Sequence, residues 1–281
     1  MNAILLVTTL LCLTLKSVLG KVYTDRTDGG VFTYTVLSGL GTVAFFLVTS
    51  KNLNFQPEII PYAVWFGVSY LLAGIFGLKA IAVGSLSLTS LVTNCSLIMP
   101  TLYGLVFLHE PGNFFLYFGI LLLLAALILV NKTSVTVPIT GKWILFVMIS
   151  FIGNGMCSIS QKAQQDAFGG TGKNELMIMA LTIVIVVNAV LMLIHERKNV
   201  KRFVRLGFVT GFVGGAANGV VNLFVMIMVG RMPASVVFPL ISAGSIVLMY
   251  LISRFVYKEE LSPRQKLGFL LGILSVVLLN L

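Results

Sequence analysis

A chain of 281 residues that is 58% hydrophobic and only 10% charged carries more apolar surface than a soluble domain can bury. Its mean hydropathy is +1.02. The formal net charge of +10 resides in short clusters between long apolar runs, the habit of membrane-protein loops and not of a nucleic-acid-binding surface.

The apolar runs fall at about 2–20, 31–50, 59–79, 84–108, 112–131, 142–163, 174–194, 203–229, 233–256 and 263–281. Each is near the length a helix needs to cross a bilayer. The pattern predicts an all-α integral membrane protein of ten transmembrane helices, with loops too short for a soluble domain. The first run lacks a positive charge at its start, and Lys16 interrupts its end, so it reads as a retained helix and not as a signal peptide.

Polar residues inside such runs need partners, which makes them informative. The third run holds Ser69 and Tyr70, with Tyr62 and Trp65 near its start. Those two rings suit packing or interface anchoring, or stacking on a solute. The fourth run carries a hydroxyl stripe, Ser85, Thr89, Thr93 and Ser96, with Ser90 and Asn94 alongside. Such hydroxyls often bond their own helix backbone. The sixth contributes Asn154, Ser158 and Gln161. The eighth is richest: Gly207, Gly211, Gly215 and Gly219 recur every four residues, a stripe that admits a second helix closely or offers a sliding surface. Beside it stand Asn218 and Asn222, on one face. The ninth has Ser235, Ser242 and Ser245, and Pro100, Pro233 and Pro239 mark bends or hinges in the fourth and ninth.

The chain also repeats itself. At an offset of 149, Ser96 matches Ser245, Glu110 matches Glu259, Gly119 matches Gly268 and Asn131 matches Asn280. At an offset of 141, Lys21 and Asp25 match Lys162 and Asp166. Two five-helix repeats follow, 1–131 and 142–281, joined by a linker at 132–141. An odd number of crossings per repeat inverts the second copy, the plan of many secondary transporters. Of the 19 Lys and Arg, only Lys51, Lys162, Lys173 and Arg231 fall on the side of the turns after even-numbered runs. The basic side, dominated by Arg197 to Arg205, is expected in the cytoplasm and both termini outside.

Several chemistries lack their residues. No Asp or Glu stands at mid-run, so proton exchange through a deep carboxylate is not expected. Lys16 and Lys79 are the deepest cations, and both are expected to snorkel to an interface, which disfavours a phosphorylated substrate. Glu110 and Glu259 are expected to complement the dipole of the helix that follows each, or to form a gating ion pair. His109 and His195 have no metal-ligand spacing, Cys12, Cys95 and Cys157 read as inert thiols, and no catalytic constellation, metal site or cofactor motif appears.

Two segments resemble a known family. Ala80–Val83, Ser85–Leu88, Pro100 and Leu108–His109–Glu110 form one. Pro233–Ala234–Ser235 through Tyr257–Lys258–Glu259–Glu260–Leu261–Ser262 form the other. Both are similar to the signature of the EamA type of the drug/metabolite transporter superfamily. The resemblance implies a ten-helix, two-repeat transporter whose central cavity is lined by helices 1, 3, 4, 6, 8 and 9. Relatives move amino acids and other small solutes, often outwards, and commonly keep their termini in the cytoplasm. Asn94, Asn154, Asn218, Asn222, Ser245 and Tyr70 are then the candidate cavity residues, with helix–helix bonding as the alternative role for each amide. The expected function is export of small uncharged or zwitterionic metabolites across the plasma membrane, with the substrate and the lipid bilayer as partners and no nucleic acid. A lipid-headgroup flippase and a non-transporting membrane scaffold are the alternatives.

Overall fold

The computed structural model describes residues 2–27, 29–50, 52–83, 89, 92–93, 95–131, 140–255 and 262–279. Among them every regular element is helical. In chain order they are α1 (Asn2–Arg26), α2 (Val31–Thr49), α3 (Ile60–Val83), α4 (Ile98–Val106), α5 (Phe114–Asn131), α6 (Gly141–Ala167), α7 (Lys173–His195), α8 (Val200–Val229), α9 (Ala234–Phe255) and α10 (Pro263–Leu278). Short 3-10 turns, Pro57–Ile59 and Cys95–Leu97, lead into α3 and α4.

Among the described residues six helices are long and apolar enough to cross a membrane: α1, α2, α3, α6, α7 and α8. Apolar residues also populate the outside. Ile4, Val7, Leu11 and Leu15 make an exposed stripe on α1, and Phe114, Phe118, Leu121 and Ile128 do so on α5. A helix that is hydrophobic on all sides suits lipid, which costs such side chains nothing. The chain thus has the make-up of an all-α membrane protein.

The helices outrun their sequence-marked ends where polar residues can still face an interface. α1 continues past Gly20 to Arg26, and α8 begins at Val200, inside the basic run. Turn chemistry sets other ends. Gly30 precedes α2 at φ 78°, where a Cβ is disfavoured and would also collide with the Phe203 ring. Ser262 and Gln265 form a capping box at α10, with Pro263 in its first turn.

Two compact units make up the fold. The first is Met1–Gly67 with Ala163–Gly230, and the second is Val68–Lys162 with Arg231–Leu281. Each draws on both halves of the chain.

In the first unit α8 packs on α1 and α2, and α2 also packs on α7. The glycine stripe of α8 is the reason for the close fit. A Cβ on Gly211 would lie 2.8 Å from Leu37 Cβ, one on Gly215 2.7 Å from the Ser38 carbonyl carbon, and one on Gly219 2.5 Å from the Phe45 ring. The Gly207 position meets the Tyr23 ring of α1 instead, where a Cβ would lie 2.8 Å from Cδ2 and closer still to Cε2. Across the same seam, a Cβ on Gly41 of α2 would lie 2.9 Å from the Phe212 carbonyl carbon. Backbone therefore meets backbone, and the Thr42 hydroxyl crosses to donate to the Gly215 carbonyl at 2.7 Å.

In the second unit α5 lies against α10, where Ser275 donates to the Gly119 carbonyl at 2.8 Å. α9 packs on α4, α5 and α10. α3 meets α6 through Ser150, which donates to the Ala73 carbonyl at 2.8 Å, and through Ala80, Trp143 and Val147. The Trp143 indole donates to the Thr89 hydroxyl at 3.0 Å.

Candidate functional site

Lys16 is the starting point, because a cation inside an apolar helix is costly. Thr9, Lys16 and Tyr23 recur every seven residues and so share one face of α1, with Thr9 and Tyr23 buried. The exposed apolar stripe of α1 lies on another face. Lys16 is ten residues short of Arg26, about 15 Å along the axis from that end of the helix. Its ammonium does not snorkel. Nζ donates to Asn218 Oδ1 on α8 at 2.7 Å.

This corrects the expectation that Lys16 reaches an interface. The distance to either end of α1 exceeds the span of a four-carbon stem, whereas Asn218 presents an acceptor directly opposite. Among the described residues the ammonium has this one hydrogen-bond partner, and no carboxylate stands within salt-bridge distance of it.

The neighbours of Asn218 form a short polar chain. Asn218 is 5% exposed. Its Nδ2 lies 3.5 Å from Thr42 Oγ1, the outer limit of a hydrogen bond. The single hydrogen of the Thr42 hydroxyl is shared between the Ser38 and Gly215 carbonyls, at 2.8 and 2.7 Å. Asn222 donates through Nδ2 to the Asn218 carbonyl at 2.8 Å. Tyr34, whose ring stacks on Tyr23 at 4.7 Å, brings its hydroxyl between α1 and α8. Glycines permit that approach: Cβ atoms on Gly20 and Gly214 would sit 3.5 and 3.1 Å from the Tyr34 oxygen. Gly20 and Gly214 are each one turn from Lys16 and Asn218.

The other sequence-marked residues are placed as follows. Tyr70 and Asn154 are half-buried on α3 and α6, in the second unit. Ser245 donates to its own helix at the Ile241 carbonyl, as do Thr93 and Ser96 to the Thr89 and Thr93 carbonyls. Asn94 lies outside the described residues, as do Ser85, Ser90, Glu259 and Glu260. A recess in the second unit between Leu97, Thr101, Leu123, Pro239 and Ser242 has a volume of about 10 Å³, room for a single water-sized sphere.

Three carboxylates accept from backbone amides of distant segments. Glu110 does complement a helix dipole, but not that of the helix following it. Its two oxygens accept from the backbone amides of Ala234 and Ser235, both at 2.8 Å, at the start of α9. Its turn lies against α9 because α4 and α9 pack together and the small Gly104 leaves room for the carboxylate. Lys162 stands 3.8 Å from the same carboxylate. Glu196, at the end of α7, does the same for α2. It accepts from the amides of Phe32 and Thr33 at 2.8 Å and from the Thr33 hydroxyl at 2.6 Å. Glu175 accepts from the Asn54 amide at 2.9 Å. Free amides at a helix start attract an anion from whichever segment packs nearby, and sequence order does not say which segment that is.

No family model matches the chain, and no curated protein matches it. Solved structures do: 29 chains are similar in fold. One, described only as a crystal structure of a protein, superposes with a TM-score of 0.79 at 14% sequence identity. The match covers 99% of this chain and 95% of that one. At that identity the likeness is one of fold alone, and the whole described architecture belongs to a fold already seen in a solved structure.

Proposed function

We propose that the protein is a secondary transporter of small uncharged or zwitterionic metabolites, exporting them by alternating access between two inverted five-helix repeats in the plasma membrane. The observation that carries this reading is the Lys16–Asn218 hydrogen bond. An ionisable side chain kept inside an apolar helix, on the face turned from lipid, marks a path for polar solutes more readily than a packing role. Packing alone is served better by the glycines and leucines around it.

The helix pairing supports the inverted repeat. Shifting each helix number by five maps the pairs α2·α7, α4·α9 and α5·α10 onto themselves. The same shift turns α1·α8 into α6·α3, which meet through Ser150 and Ala73. The senses agree with successive crossings. Contacts pair rising numbers on α2 with rising numbers on α8, as Leu37 with Gly211 and Phe45 with Gly219. On α1 the numbers fall as those on α8 rise, from Tyr23 with Gly207 to Lys16 with Asn218.

The test compares metabolites inside and outside cells carrying the intact protein or the Asn218→Leu/Asn222→Leu variant at equal membrane abundance. A solute class redistributed only by the intact protein is the expected result. Identical profiles across several growth media would refute small-metabolite transport and favour a scaffold or a lipid flippase.

A further inference from the structure

We infer that Lys16 and Asn218, with the Tyr34 hydroxyl one turn away, form a receptor for the carboxylate of the transported solute, which selects zwitterionic and acidic metabolites over neutral ones. The inference rests on the transport reading above, keeps its zwitterionic solutes, adds acidic ones and drops the uncharged.

Charge is the first argument. A cation held inside an apolar helix, half-buried as Lys16 is, is normally paired with an anion. The Lys16 ammonium has three donors, of which one is used on a neutral amide oxygen, and no described carboxylate approaches it. One elementary charge is left to be neutralised by something not supplied by the described residues. A carboxylate matches that charge singly. A phosphate dianion would call for a second cation or a fork of guanidinium donors, and no described Lys or Arg hydrogen-bonds to Asn218 besides Lys16.

Geometry is the second. Asn218 Oδ1 orients the ammonium, while its Nδ2 is held only by the long 3.5 Å contact to Thr42. At 3.5 Å that contact is weak, so the amide hydrogens of Asn218 lack a strong acceptor on that side. An ammonium and an amide N–H two atoms apart present donors suited to the two oxygens of one carboxylate. The Tyr34 hydroxyl, admitted between α1 and α8 by Gly20 and Gly214, adds a polar group one turn off. Depth is the third argument. The site lies far from both ends of α1 and α8, where alternating access requires a solute to be held.

The experiment uses the full chain in lipid nanodiscs and reads the thermal unfolding midpoint. The probes are glycine, L-alanine, L-leucine and L-lactate, the matched amides glycinamide, L-alaninamide, L-leucinamide and lactamide, and inorganic phosphate. At least one carboxylate is expected to raise the midpoint by on the order of 3 °C at concentrations well above its Kd, with no shift from its amide or from phosphate. Lys16→Met should abolish the shift. Asn218→Asp should abolish it too, while raising the ligand-free midpoint, because the new carboxylate pairs with Lys16 in place of the solute. No shift from any carboxylate, an equal shift from the amides or phosphate, or an unchanged response in Asn218→Asp would each overturn the proposal. If Lys16→Met does not fold, Asn218→Asp decides alone. Carboxylate-dependent stabilisation without counterflow of the same solute in proteoliposomes would leave the receptor standing and remove the transport reading instead.

Discussion

Gly215→Ala is the sharpest perturbation of the α2–α8 seam. The added methyl would lie 2.7 Å from the Ser38 carbonyl carbon and 2.8 Å from Ser38 Cα, against 3.4 Å for ordinary contact. The nearest atoms are backbone, so no side chain can swing aside, and α2 must retreat by well more than about 0.7 Å, because the Ser38 carbonyl oxygen lies closer still. That retreat strains the Thr42 hydrogen bond to the Gly215 carbonyl, which is worth about 0.6 kcal/mol in a membrane interior. Overpacking of a tight contact costs about 1–3 kcal/mol. Alanine offsets up to about 1 kcal/mol through its better helix propensity. The net expectation is a loss of about 1–2 kcal/mol. Reversible unfolding in mixed detergent micelles measures it, with Gly74→Ala as the control, since a Cβ there meets nothing within 4 Å. The control should be neutral or slightly stabilised. Equal stability of the two variants would refute the backbone-contact reasoning and make the glycine stripe incidental.

Three further outcomes are expected. Glu196→Ala should lower stability by about 2 kcal/mol, because it strips three hydrogen bonds and a dipole-complementing charge from the start of α2; Thr33→Val, which removes one of the three, should cost less, and both are read by the same unfolding assay. Glu110→Ala should cost about 1–2 kcal/mol, and Glu110→Ala combined with Lys162→Met should cost less than the sum of the two single changes; a double-mutant cycle with no coupling would remove the ion pair from the account. A single cysteine at Lys198 should react with a membrane-impermeant thiol reagent only after the membrane is opened, and one at Gly170 in intact cells; the reverse pattern would invert the orientation drawn from charge.

Much of the fold was legible before any coordinates, for a definite reason. In a bilayer each crossing must satisfy its own backbone, so run length and hydropathy mark a helix without reference to its neighbours. The four-residue spacing of Gly207 to Gly219 likewise announced a close approach, because small residues on one face have few other uses in a membrane. The residue across the seam was not legible. That Gly215 meets Ser38 and Gly207 meets Tyr23 depends on how α1 and α2 lie on α8.

The site divides along the same line. Composition and spacing alone placed Asn218 and Asn222 on one face and identified Lys16 as an anomaly in its run. Only the tertiary structure joined Lys16 to Asn218 across 202 positions of chain. It likewise gave Glu110 to α9 and Glu196 to α2. Local sequence determines what a helix must solve, a buried cation or a row of free amides. Which partner solves it depends on packing between segments far apart in the chain, and periodicity within one segment holds no record of that.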